Sequence, residues 1–130
     1  MAAPVVDMAN LSNSSGFEGD DQLIWSHTIA AGSNRLLLVF VNYKTYTFSP
    51  TGKHTVQSVL YGATNLTRAG PPASYLIGGS VRMATECWFL INPPTGTDNI
   101  TLNWDINFLA DGVAEGVGLT GAEQSSSAIR

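Results

Sequence analysis

The chain has 130 residues and a mass of 13.8 kDa, the size of one domain with room for a proper core without disulfides. Charged residues make up 12% of it, about half the usual ~25%. Ser, Thr, Asn and Gln fill the gap with 36 positions, a composition that excludes disorder for most of the chain and a coiled coil for any of it. Net charge is −4, and the basic residues Arg35, Lys44, Lys53, Arg68, Arg82 and Arg130 are scattered. A phosphate backbone needs clustered positive charge, so nucleic acid is not an expected partner.

Residues 5–8 have the character of an edge strand and precede a polar stretch at residues 10–15. Glu18, Asp20 and Asp21 form one acidic cluster. A calcium loop spaces its oxygen ligands at alternate positions, and without that spacing the segment reads as a solvated turn, with no metal expected. Residues 23–29 form a strand with Leu23, Trp25, His27 and Ile29 on one face. Residues 35–43 are apolar on both faces and follow Gly32-Ser33-Asn34, which marks a central strand rather than a helix. Residues 55–61 and 65–68 are short strands about the tight turn Gly62-Ala63-Thr64.

Residues 81–91 make a long strand. Val81, Met83, Thr85, Cys87, Phe89 and Ile91 read as its core face. Arg82, Ala84, Glu86, Trp88 and Leu90 occupy the other, whose apolar end then lies under a loop or a neighbouring chain. In residues 99–108, Ile100, Leu102, Trp104, Ile106 and Phe108 alternate with Asn99, Thr101, Asn103, Asp105 and Asn107, giving a half-buried strand with a wet, amide-rich face. In residues 113–120, Val113, Val117 and Leu119 share one face and Gly116 and Gly118 the other, the mark of a bulge or of another backbone close by. Regular Gly and Pro breakers and no 3.6-residue period predict an all-β protein. The expected form is an antiparallel, jelly-roll-like β-sandwich of about seven to eight strands. The sandwich spans residues 20–124, between an N-terminal arm at 1–19 and a polar tail at 125–130.

Reactive groups are few. His27 reads as a hydrogen-bonded sheet residue and His54 as a solvated loop residue; with one Cys they fall short of a zinc site. Cys87, on the presumed core face, reads as an inert hydrophobe. Glu86, Asp105 and Glu115 lie on predicted strands and could meet across a sheet as glycosidase carboxylates do, with Arg82 an equally good partner for Glu86. Tyr43, Tyr46, Phe48, Tyr61 and Tyr75 offer aromatic planes for sugars, beside the amides of residues 99–107. The chain is expected to be no enzyme, with no catalytic residue and no cofactor.

The blocks Trp25-Ser26-His27-Thr28, Gly32-Ser33-Asn34-Arg35-Leu36-Leu37, Val56-Gln57-Ser58-Val59-Leu60-Tyr61-Gly62, Asn92-Pro93-Pro94-Thr95-Gly96-Thr97 and Gly118-Leu119-Thr120-Gly121 come in a characteristic order. Together they resemble a β-sandwich module that recurs in bacterial surface proteins and in structural proteins of tailed phages. The resemblance covers roughly residues 20–124 and implies a scaffold or adhesive unit without catalytic residues. The module continues past the position of Gln124 with further strands, so the chain is expected to be either a compact variant with a complete sandwich or one that a neighbouring subunit completes, by strand addition or by packing on the Trp88–Leu90 face.

The longest apolar run, residues 36–41, is too short to cross a bilayer, and no apolar signal segment follows Met1. Small size, these polar ends and the resemblance lead to a structural virion protein, made in a host cytoplasm. The most concrete expectation is a capsid decoration (cement) protein of a bacteriophage that bridges subunits of the major capsid protein. A glycan-binding fibre or tail adhesin is the alternative, and a strand-donating filament subunit the third reading. A homo-oligomer is expected, with a trimer favoured, and Val5, Val6, Met8, Trp88, Leu90 and Ile129 are its expected interface residues.

Overall fold

The computed structural model of the chain describes residues 5–13, 17–18, 22–46, 56–77, 81–104, 110–122 and 124. They form eleven strands: β1 (Val5–Asn13), β2 (Phe17–Glu18), β3 (Gln22–Ile29), β4 (Leu36–Tyr46), β5 (Val56–Tyr61), β6 (Thr64–Asn65), β7 (Thr67–Arg68), β8 (Ala73–Ile77), β9 (Val81–Ile91), β10 (Gly96–Trp104) and β11 (Ala110–Thr120). The larger sheet runs β1-β11-β4-β9-β7, with β2 on β11 and β8 on β9; the smaller runs β3-β10-β5-β6. Every pairing is antiparallel.

The pairing order explains the architecture. β1 pairs with β11, β3 with β10, β4 with β9 and β5 with β6. The first half of the chain thus meets the second half in reverse order, as one long hairpin rolled into two facing sheets. That is a jelly roll. At its fold the two-residue turn at Gly62 needs a positive φ of 58°, and a Cβ there would strike the Asp98 carboxylate.

The core lies between the sheets. Leu23, Trp25 and Ile29 of β3, Val56, Val59 and Tyr61 of β5, and Ile100 and Leu102 of β10 meet Leu37, Val39, Val41 and Tyr43 of β4 and Ala84 and Trp88 of β9. The alternation expected along residues 23–29 and 99–108 holds where it is described, through Leu102; the Trp104 side chain and residues 105–109 lie outside the described part. On β11 the buried positions are Ala114, Gly116 and Gly118, where this strand approaches β3. Small residues inside turn Val113, Val117 and Leu119 outward.

Two expectations are corrected. On β9 the faces are reversed: Ala84, Glu86 and Trp88 point into the core, whereas Met83, Thr85, Cys87 and Phe89 face out. Turning Trp88 inward buries the larger aromatic surface, and Glu86 is tolerated because its carboxylate has a counter-charge and two hydrogen bonds, as described below. Trp88, only 6% exposed, is therefore a core residue, and Leu90 packs half-buried against the same core. Second, residues 5–8, the edge strand expected, belong to the larger sheet of the sandwich and not to an arm outside it. Val5 pairs with Thr120 and Val6 with Leu119, and Met8 lies in the irregular stretch before Leu11. The edge position beside β11 is thus filled in cis. Ile129 lies outside the described residues.

Candidate functional site

Three groupings of side chains carry the chemistry of the molecule, one between the sheets and one on each outer face. Between the sheets sits Glu86, 2% exposed. Tyr43 Oη donates to its Oε2 at 2.7 Å and the Val56 backbone N–H to the same oxygen at 3.1 Å. Arg68 Nε lies 2.7 Å from Oε1, a short contact too bent for a linear hydrogen bond and therefore an ion pair. Arg68 also donates to the Val56 carbonyl, and its guanidinium stands 4.8 Å over the Trp88 ring. A buried carboxylate is costly unless charge and hydrogen bonds surround it; here β4, β5 and β7 each supply a partner to Glu86 of β9. Arg68 takes the role that Arg82 was equally fitted for on sequence. The cluster ties the two sheets together, since Val56 of the smaller sheet bonds both Glu86 and Arg68 of the larger.

His27 is 1% exposed, edge-on to Tyr61 with ring centroids 6.2 Å apart at 82°. Burial pushes its imidazole down from 6.5 to about 4, so it stays neutral at physiological pH. Tyr61 donates to the Gly96 carbonyl at 2.8 Å, with the His27 carbonyl at 3.4 Å. Burial, then the Asp98 charge, raises this phenol. His27 is thus a buried residue of the sheet.

The two described carboxylates of that set do not converge. Glu86 faces the core, Glu115 faces out on the opposite side of the same sheet, and Asp105 lies outside the described residues, as do His54, Phe48, Asp20 and Asp21. Glu18 pairs with Asp111 through β2. Tyr43 and Tyr61 are buried and offer no plane to a sugar. Among the described residues no three His, Cys, Asp or Glu side chains come together.

The outer faces contrast sharply. On the smaller sheet Gln22 Nε2 donates to Asn103 Oδ1 at 2.9 Å, Asn103 Nδ2 to Ser58 Oγ at 2.9 Å, and Thr28 and Thr97 share a bond of 2.8 Å. This face is uncharged and wet, with Ile24, 52% exposed, as its large apolar residue. On the larger sheet the outward rows set Leu38 beside Phe89 and Val117, and Phe40 beside Cys87 and Glu115. Further along, Val113 and Met83 are 45% and 42% exposed. Beside them Asn42, Ala73, Ser74, Met83, Ala84 and Thr85 line an open depression of about 400 Å³. Burial raises the half-buried Cys87 thiol, which is therefore protonated at neutral pH.

The far end of this face is closed by the chain itself. The Gly121 and Ala122 N–H groups donate to the Ser33 and Asn34 carbonyls, and Gln124 Nε2 donates to the Arg35 carbonyl at 3.0 Å. Leu36, Pro93 and Ala122 are buried there. The apolar face was foreseen for residues 35–43; its β9 share is Met83, Cys87 and Phe89 rather than Trp88 and Leu90. Its β11 share was legible as the face opposite the two glycines.

Neither the sequence, set against family models and curated proteins, nor the fold, set against solved structures, finds a match. The site is read from its own geometry.

Proposed function

We propose that this chain is a non-enzymatic structural subunit of a virion, a capsid decoration protein that stabilises a phage head by bridging capsid subunits. The observation that carries the reading is the asymmetry of the sandwich. One outer face carries an apolar patch of Leu38, Phe40, Phe89 and Val117, bordered by the Asn42–Thr85 bond, Glu115 and Lys44 and with Val113 beyond; the other is a neutral array of amides and hydroxyls. A sheet apolar on both faces reads as one covered on both faces. Bridging needs area and shape rather than reactive groups, and the buried polar groups of this molecule are spent on holding its two sheets together. The described charged and nucleophilic groups are paired inside, dispersed or protonated, which fits an assembly role better than catalysis.

Sedimentation with assembled heads tests this. The full chain is expected to co-sediment with shells and to ignore free capsid subunits. Removing residues 1–4 and 125–130 is expected to weaken shell binding and leave the sandwich folded. A monomer that ignores shells and binds a glycan would overturn the reading in favour of the adhesin.

A further inference from the structure

We infer that the apolar outer face of the larger sheet is the contact between two copies of this chain, packed sheet against sheet. The inference rests on the reading of that face as an assembly surface and names its occupant.

Area is the first argument. β11, β4 and β9 have 11 residues each and are flanked by β1, β7 and β8. At ~3.3 Å per residue and ~4.8 Å per strand the three long strands measure roughly 520 Å² and the flanking strands add roughly 250 Å², a footprint of the order of the ~800 Å² each partner buries in a stable interface. The second argument is chemical. The described outward side chains include one cation, Lys44, and one exposed anion, Glu115. A nucleic acid or an anionic membrane wants clustered positive charge, and such a partner gains little here. A second apolar sheet gains most: the rows Leu38–Phe89–Val117 and Phe40–Cys87 form ridges that a like sheet interdigitates at ~10 Å spacing. The third is symmetry. A flat face packed on its own copy is isologous and closes with two chains; this replaces the trimer favoured on sequence. The neutral face stays free for a shell.

Velocity sedimentation of the full chain without shells is the test, with two kinds of variant. Wild type is expected at twice 13.8 kDa. Met83→Lys with Val113→Lys, both at well-exposed positions that the fold tolerates, is expected to halve that mass with an unchanged circular dichroism spectrum. Ile24→Lys, on the opposite face, is expected to leave the pair intact. A monomeric or trimeric wild type, or a pair that survives the double substitution, or one that Ile24→Lys breaks, would overturn the inference. Shell binding, measured separately, distinguishes the two readings. A monomer that still binds shells sinks the pair and leaves the virion role standing; a pair that ignores shells does the reverse.

Discussion

Glu86 shows how one side chain can reverse a strand. By charge it belongs outside, and a reading of residues 81–91 that puts charge in water puts Trp88 outside as well. The Arg68 ion pair and the bonds from Tyr43 and Val56 make its burial tolerable. None of those partners is near it in sequence, which is why the pairing was not legible. Arg68→Ala leaves the carboxylate buried without its counter-charge and should destabilise the fold by about 3–5 kcal/mol, read by urea unfolding; a loss below about 1 kcal/mol would contradict the described pairing. His27 gives a pH signature. Its folded value of about 4 lies below the ordinary 6.5, so in that window the unfolded chain binds a proton that the folded chain refuses. The contribution of His27 is complete above pH 6.5 and falls away as pH drops towards 4. Melting temperature should decline over that range in wild type, and less steeply in His27→Gln. Parallel curves would contradict the buried neutral imidazole.

At the scale of elements, strict alternation was the most legible signal. β3 and β10 read correctly because a buried apolar residue and a wet polar one follow each other without exception through their described parts. Leu102→Ala, at a fully buried position of β10, should cost about 2–5 kcal/mol; a variant melting within a degree or two of wild type would contradict that register. β4 was recognised as central by its two apolar faces. β9 was placed but inverted, since Met83, Cys87 and Phe89 weigh nearly as much as Ala84, Trp88 and Leu90. β2 and β8 were missed: each is short, and pairing with a long neighbour, rather than any local pattern, makes it a strand.

For the whole molecule, the breakers and strand count indicated a sandwich, while the rolled pairing of first half with second half is a long-range property that no local spacing contains. The same holds for the assembly face. Its residues come from three strands, and only register brings Phe40, Cys87 and Val117 into one patch. The central claim is that a partner covers this patch, and Cys87, the single cysteine, lies within it. The direct measurement is the rate at which a maleimide labels Cys87 at one fixed pH, in wild type and in the Met83→Lys, Val113→Lys variant. The account predicts slow labelling in wild type that quickens on dilution, and labelling at least tenfold faster in the variant at every concentration. Equal rates in the two proteins, independent of concentration, would show the face to be open to solvent and contradict the account.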